Sequence, residues 1–267
     1  MPVQQAYIEG IGLWAPRLAG WDAARAILRG AAPAPCTPAP RPSPSLLAAT
    51  ERRRAPDTVC VALEVAASAC AGAALEPRTL PSVFASTYGE LPVTDYMCAT
   101  LAATPALLSP TKFHNSVHNA AAGYWAIATG CLEPYTALAA HEDTFGAGLL
   151  TAAAHASTED RPVLYVAYDI EARGAVATMA VAHSVLGAAL VLAPHATPRS
   201  VARLSLDTAP ARGDRATLPR PENAALVAGS ALAESIVLFE ALADGTARAI
   251  VQSLGPRLRL DIRIEPS

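Results

Sequence analysis

Apolar residues follow two alternating patterns along this chain, one typical of strands and one typical of helices. Short, nearly continuous apolar runs predict strands that are buried on both faces, at positions 6–13, 80–86, 135–139, 162–167 and 185–192. Helical spacing of apolar residues predicts helices at positions 21–29, 57–75, 94–102, 120–129 and 143–156. This alternation favours a mostly parallel sheet covered by helices on both faces.

The pattern changes in the last quarter of the chain. A polar segment with several Pro and Arg residues predicts a loop at 206–223, and a long helix is predicted at 226–243. The sequence LRLDIRI alternates apolar and charged residues, which predicts a strand or hairpin within 248–264. Near the other end, six prolines within 31–45 exclude a helix and predict an extended surface loop.

Composition restricts the class of protein. Hydrophobic residues make up 52% of the 267 residues and charged residues 16%, which is typical of a globular protein. The formal net charge of −3 argues against nucleic acid as the main partner. The longest uncharged segment, 175–197, contains His183 and Pro194 and much Ala and Gly, so a buried helix followed by a core strand is favoured over a membrane span. Because Glu9 stands where a secretion signal would be apolar, we expect a cytoplasmic protein.

The five cysteines show no metal-binding spacing. Their number is odd and none forms a Cys-x-x-Cys pair, so neither a disulfide framework nor a structural zinc site is predicted. We expect buried free thiols instead.

The strongest local signal for chemistry is a predicted strand that runs directly into a turn and a helix, within 135–148. Such a turn lifts one side chain to a helix N-terminus, where free N–H groups and the helix dipole favour negative charge. Two acidic residues, Glu142 and Asp143, occupy this turn. The simpler interpretation is that one of them caps the helix.

Two histidines, His114 and His118, are spaced so that they could share a metal ion on a helix, with Glu142 or Asp143 supplying a carboxylate. Their surroundings are polar and follow Ser109-Pro110, which indicates a loop with hydrogen-bonded histidines, so no metal site is predicted. Patterns of the GxSxG, P-loop and GxGxxG types do not occur, and no cofactor is predicted.

The segment 108–154 resembles the core of the β-ketoacyl synthases. The resemblance rests on Ser109-Pro110, on the sequence NAAAGY at 119–124, on GCLEP at 130–134 and on the strand and turn that follow. Weaker similarity covers 1–205. The resemblance implies a thiolase-like, layered α/β/α fold that is truncated relative to a full ketosynthase. It further implies a single domain over 1–267, with 1–205 as the N-terminal half of the fold and 206–267 as an abbreviated C-terminal helix and strand.

The chain departs from the family where the chemistry is done. The position of the nucleophilic cysteine holds Glu142, with His141 beside it, and a carboxylate cannot form the acyl thioester of condensation. Cys131 is no substitute, because it precedes the strand. The family's two catalytic histidines lie in the second half, and no histidine follows His195 in this chain. We therefore expect no condensing activity from this chain alone.

Ketosynthase-like chains without the cysteine resemble the chain-length factors of type II polyketide and aryl-polyene systems. This resemblance implies a heterodimer with an active β-ketoacyl synthase, an acyl carrier protein as second partner, and a role in polyketide, fatty-acid-like or aryl-polyene pigment biosynthesis. Residues that would line the partner's acyl tunnel or the interface are Lys112, Phe113, His114 and His118. A missing half-domain should leave apolar surface exposed, which a heterodimer interface would cover.

Two alternatives remain open. Glu142 could act as a base, or polarise a malonyl carboxylate, in a malonyl-carrier decarboxylase or another acyl-processing enzyme, with His141 or His118 nearby. The chain could instead be a scaffold that docks the acidic helix of an acyl carrier protein through the arginines at 52–54.

Overall fold

One mixed sheet with helices on both faces forms the centre of the protein. The computed structural model describes residues 3–211 and 216–267. The strands are β1 (Gln4–Ala15), β2 (Leu18–Ala19), β3 (Ser82–Ala85), β4 (Tyr135–Leu138), β5 (Val163–Asp169), β6 (Leu186–Ala193), β7 (Ala202–Pro210), β8 (Arg248–Ser253) and β9 (Leu258–Pro266). The helices are α1 (Trp21–Leu28), α2 (Ala49–Arg52), α3 (Asp57–Ala73), α4 (Leu91–Ala103), α5 (Pro110–His114), α6 (Ala120–Thr129), α7 (Thr144–Glu159), α8 (Pro221–Leu226) and α9 (Ile236–Asp244).

The strand order is β4-β3-β5-β6-β1-β7-β9-β8, with the short β2 beside β1. β3 pairs in parallel with β4 and β5, whereas the other neighbouring strands pair antiparallel. The prediction of a mostly parallel sheet is therefore wrong. Parallel neighbours need a crossover connection, usually a helix, whereas antiparallel neighbours can be joined by a turn or loop, as β8 and β9 are.

Two apolar cores lie on opposite faces of the sheet. α3 and α6 cover one face, and α7, α9 and α1 cover the other. α3 packs directly on the centre of β1, where a methyl group at Gly10 or Gly12 would lie only 2.0 Å from Ala69 O or 2.1 Å from Val65 O. Both glycines are therefore required for this close approach of helix and strand.

The C-terminal part differs from its predicted pattern. The first residues of the predicted loop at 206–223 continue β7, and residues 212–215 of that loop lie outside the described residues. Of the long helix predicted at 226–243, only the second half forms an α-helix, α9, because α8 ends at Leu226 and the chain turns before α9 begins. Gly229 adopts a left-handed φ of 79° there, and its carbonyl accepts a hydrogen bond from His183 N at 2.7 Å. The predicted hairpin is present as β8 and β9.

The uncharged segment 175–197 contains the core strand β6 but not the buried helix that was predicted before it. A short 3₁₀ helix, Gly174–Thr178, lies there instead, and Met179 after it is 88% exposed. No helix in the described part of the chain is both long and apolar enough to cross a membrane. The proline-rich residues 31–45 contain neither helix nor strand, as predicted.

All five cysteines are free thiols, as expected, but only three of them are buried. Burial raises the pKa of Cys60 to about 11 and that of Cys70 to about 12, which suppresses their nucleophilic thiolate forms. Cys36 and Cys98 are exposed, contrary to the expectation of buried thiols.

Candidate functional site

The turn between β4 and α7 has the predicted strand–turn–helix geometry. The hydroxyl of Thr144, the first residue of α7, accepts a hydrogen bond from Ala140 N at 2.9 Å and donates one to His141 O at 2.6 Å. These two bonds close the turn. His141 adopts a left-handed φ of 53°, which is unfavourable for a residue with a side chain. The strained position of the turn is thus His141, one residue before Glu142.

The acidic residues of this turn do not act as a helix cap. Asp143 occupies the N-cap position of α7, but its side chain makes no capping hydrogen bond. Glu142 and His141 are exposed, and Asp143 is half-buried. The turn therefore presents carboxylate and imidazole groups at its surface, where the ketosynthase resemblance places a cysteine.

Residues 234–254, which we name the C-terminal segment, lie over the start of α7, where a methyl group at Gly146 would lie 3.3 Å from Leu254 Cδ2. This segment adds two polar residues that the sequence analysis missed. Burial, followed by the charges of Asp143 and Glu142, raises the pKa of Glu234 to about 7. Gln252, buried at the end of β8, donates a hydrogen bond from Nε2 to Glu234 O at 3.3 Å. Both residues lie about a hundred positions after the turn, so no local signal could have connected them to it.

The predicted tunnel residues fall into two groups. Lys112, Phe113 and His114 lie exposed on α5, with Lys112 Nζ 3.8 Å from the centroid of the Tyr96 ring. His118 lies in the following turn and is half-buried. Its Nε2 is 2.8 Å from Ser86 O, the carbonyl directly after β3. His114 and His118 therefore lie in different surroundings. Within residues 3–211 and 216–267, no group of three or more metal-binding side chains is placed to hold an ion.

The elements on either side of α5 in the sequence carry many exposed apolar side chains. α4 carries only one charged residue, Asp95, yet just two of its thirteen residues, Leu91 and Val93, are buried. Large apolar side chains remain exposed in consecutive elements from α4 to β4: Leu101, Leu107, Phe113, Val117, Ile127, Leu132 and Tyr135, which we name the α4–β4 surface. Its exposed fractions reach 81% at Ile127 and 98% at Leu132.

The two edge strands of the sheet differ in whether another segment covers them. At the β8 edge, Thr217 donates its backbone N–H to Val251 O and its hydroxyl accepts from Val251 N, both at 2.8 Å. At the other edge, β4 pairs with β3 and with no other strand of the described chain. An uncovered edge strand presents unpaired backbone N–H and C=O groups that can bind another chain.

A cluster of arginines lies on a separate part of the surface. Arg41, Arg52 and Arg53 line a surface pocket of about 370 Å³ before α3. Arg41 is held by an ion pair with Asp57 at 2.5 Å, and Arg52 donates to Leu47 O at 3.0 Å. This arrangement presents positive charge on a protein whose net charge is negative.

Comparisons with solved structures identify the fold. The chain is similar to a chain of the ketosynthase (ApeO) in complex with its chain length factor (ApeC) from Xenorhabdus doucetiae, with 21% identity, a TM-score of 0.72, and 97% of this chain and 98% of that chain covered. It is also similar to a chain of the ishigamide ketosynthase/chain length factor, with 16% identity, a TM-score of 0.74, and 98% and 99% covered. A beta-ketoacyl synthase from Burkholderia phymatum STM815 matches at 13% identity and a TM-score of 0.58, with 88% of this chain but 71% of that chain covered.

These similarities confirm the predicted thiolase-like ketosynthase fold. No curated protein sequence matches the chain. The family model described as "Beta-ketoacyl synthase, N-terminal domain" matches residues 24–250, most of the chain. The protein therefore belongs to the beta-ketoacyl synthase family.

Proposed function

We propose that this protein is a non-condensing subunit of the chain-length-factor type, which pairs with an active β-ketoacyl synthase and shapes the acyl tunnel of that partner. The observation that carries this proposal is the apolar α4–β4 surface beside the uncovered edge of β4. The partner supplies the nucleophilic cysteine and the catalytic histidines, and this chain supplies one side of the interface.

The exposed apolar side chains favour association. Each large apolar side chain that moves from water into an interface contributes roughly 1.5–3 kcal/mol, before the cost of ordering the two chains is subtracted. Exposed patches of this kind on a soluble protein mark interaction sites. α4 in particular has a single charged residue, Asp95, yet most of its residues lie outside the core of this chain, which favours a helix that is covered by another protein.

The edge of β4 supports the same arrangement. Pairing with an edge strand of a second subunit would satisfy its free backbone groups and extend the sheet across the interface. Because Tyr135 begins β4 and belongs to the α4–β4 surface, backbone pairing and apolar contacts would occur together.

The chemistry at the turn supports a non-condensing role. Glu142 occupies the exposed turn where the resemblance places the cysteine, and a carboxylate forms no thioester. Cys131 is buried two residues after the end of α6, and its thiol donates to Leu80 O at 3.5 Å. Condensation would therefore depend on the partner's cysteine.

A finer part of the proposal concerns the type of biosynthetic system and the residues that face the tunnel. One chain of each matched complex named for a ketosynthase and a chain length factor is covered almost completely, to 98% and 99%, whereas 71% of the matched chain of the Burkholderia synthase is covered. This supports a subunit of a type II polyketide-like system, and we place it in the aryl-polyene pigment branch. Lys112, Phe113 and His114, exposed on α5, would face the partner's tunnel.

The proposal is tested by co-expression of this chain with the ketosynthase encoded beside it, purified through a tag on this chain. We expect a one-to-one complex that elongates malonyl units and loses activity when the partner's cysteine is replaced. Ile127→Asp should abolish co-purification, and Leu218→Asp should not. Leu218 is the matched control, because it is 78% exposed but lies beside Thr217 at the covered edge. A folded chain that binds no ketosynthase would contradict the proposal.

The arginine pocket favours a second role for the same subunit, docking of an acyl carrier protein. The acidic helix of a carrier would complement Arg41, Arg52 and Arg53. Carrier binding to the assembled complex should weaken steeply with salt, and Arg53→Glu should remove this dependence. Binding that ignores both changes would exclude the pocket.

The exposed carboxylate of Glu142 keeps malonyl-carrier decarboxylation as the alternative function. It requires that Glu142→Gln abolish decarboxylation by the complex while the partner's cysteine is absent. Unchanged decarboxylation in this variant would remove the alternative.

A further inference from the structure

The loop from Ser109 to Asn119, which includes the short helix α5, has an outer and an inner side. Lys112, Phe113, His114 and Val117 are exposed on the outer side, as described above. On the inner side Asn115 is 4% exposed, and its Oδ1 accepts a hydrogen bond from Tyr124 OH at 3.3 Å. His118 is the second inward residue. Two anchors thus separate the exposed side chains of this loop from the body of the protein.

His118 is fixed from three directions. Its ring nitrogen Nε2 donates to Ser86 O at 2.8 Å, and its backbone carbonyl accepts from Tyr168 OH at 3.4 Å. Its ring also packs against Gly89, where an added methyl group would lie 3.7 Å from Cδ2. Gly89 has a left-handed φ of 64°, so the loop that receives the ring has a specialised conformation.

Ser86, whose carbonyl receives His118, is itself held through its side chain by a buried carboxylate. Asp169, at the end of β5 and fully buried, accepts hydrogen bonds from Ser86 Oγ at 2.9 Å, Thr87 N at 2.8 Å and Tyr88 N at 3.0 Å. Ser86 Oγ in turn accepts from Gly89 N at 2.9 Å. Hydrogen bonds to a charged acceptor are stronger than neutral ones, so the 86–89 loop is a rigid support.

We propose that His118 is a positioning residue, which sets the depth to which the loop from Ser109 to Asn119 projects toward the partner subunit. It acts through Ser86 and Asp169 and does not touch the acyl chain. Phe113, five residues before it, is the side chain whose position it determines. This inference rests on the proposed function for its effect on product length, but the anchor itself belongs to this chain alone.

The anchor is tested first on the isolated chain by hydrogen exchange of the amides of residues 109–119. Loss of one hydrogen bond from a rigid support should accelerate exchange there about fivefold to tenfold in His118→Ala. His118→Gln keeps an N–H donor and should restore slow exchange. His195→Ala is the control, because His195 bonds to Asp160 on an exposed surface elsewhere. Unchanged exchange in His118→Ala would overturn the anchor, whether or not a ketosynthase binds.

The positioning role is tested in the assembled complex by the distribution of product lengths. His118→Ala should shift this distribution in the same direction as Phe113→Ala, His118→Gln should restore it, and the double variant should shift it no further than Phe113→Ala does. Additive shifts, or a shift that His118→Gln fails to rescue, would overturn the positioning role of His118. If no complex forms, the proposed function fails while the exchange experiment still decides the anchor.

Discussion

The outer face of the C-terminal strands and the α4–β4 surface are both uncovered, but their chemistry is opposite. On β7 and β9 the buried face carries Leu204, Leu260 and Ile262, whereas the outward positions carry Arg203, Asp261, Arg263 and similar polar residues. Arg203 pairs with Glu265 across the two strands. The α4–β4 surface has no comparable set of charges.

This difference indicates which of the two surfaces needs to be covered by another protein. A truncated ketosynthase fold was expected to leave apolar surface where a half-domain is lost. The C-terminal sheet face is polar instead and is compatible with water, so it requires no cover. The apolar surface lies at α4 to β4, where we propose the partner to bind.

The largest difference should be between substitutions on the two faces of β9, measured as the change in the free energy of unfolding. Ile262→Ala removes a fully buried side chain and should lower the free energy of unfolding by about 2–5 kcal/mol. Arg263→Ala, on the neighbouring outward position, should change it by less than about 0.5 kcal/mol. Urea unfolding of the isolated chain measures both. A large loss from Arg263→Ala would mean that the outer face is not simply solvated.

On the α4–β4 surface a substitution should affect binding to the partner more than the stability of the isolated chain. Leu101→Asp should leave the unfolding free energy of the isolated chain within about 0.5 kcal/mol, because Leu101 is 51% exposed. It should weaken binding to the partner ketosynthase by about 2 kcal/mol, or roughly thirtyfold, because a charge would be buried in an apolar interface. Calorimetric titration measures the affinity. Destabilisation without loss of binding would place α4 in this chain's own core.

Thiol reactivity offers a comparison without mutation. Cys98 lies exposed on α4 and Cys36 lies exposed in the proline-rich loop. Alkylation of Cys98 should slow about tenfold when the partner binds, since burial removes access of the reagent, whereas Cys36 should react equally in both states. Buried Cys70 should remain unreactive. Equal rates at Cys98 with and without partner would exclude α4 from the interface.

The smallest effect concerns the contact between the C-terminal segment and the acidic turn. The pKa of Glu234 is about 7 in the folded chain and near 4.5 when unfolded, so the folded chain binds this proton more tightly. The stability that this proton contributes is lost as pH rises from about 4.5 to 7, and above pH 7 the buried, ionised carboxylate is a penalty. Glu234→Gln removes this penalty and should stabilise the protein by about 1 kcal/mol at pH 8, after allowance for solvent screening, and little at pH 5. Thermal unfolding at the two pH values gives the difference. An equal change in stability at both pH values would show that the pKa of Glu234 is not raised in the folded chain.

The local elements were predictable because their signals are local. The apolar run before Glu142 and the small residues after it predict the strand, turn and helix that the structure contains. The alternation in LRLDIRI also predicts which side chains of β9 face inward. Strand direction was not predictable, because it depends on which distant segments become neighbours, and no periodicity encodes that choice.

The surroundings of the candidate site were hidden for the same reason. His118 looks like His114 in the sequence, four residues apart in one polar segment. Only the approach of Ser86 and Asp169, from the ends of two strands, turns His118 inward and leaves His114 at the surface. Glu234 likewise reaches the acidic turn through the packing of the C-terminal segment.

The family, the order of most elements and the presence of Glu142 at the turn follow from residue identity and short-range periodicity. Which apolar helix is covered and which is not depends instead on how distant elements pack together. α3 and α4 are both rich in apolar residues, but α3 lies against Gly10 and Gly12 of the central strand, while most of α4 has no sheet beneath it. Burial depends on what a helix packs against, and that follows from the whole fold.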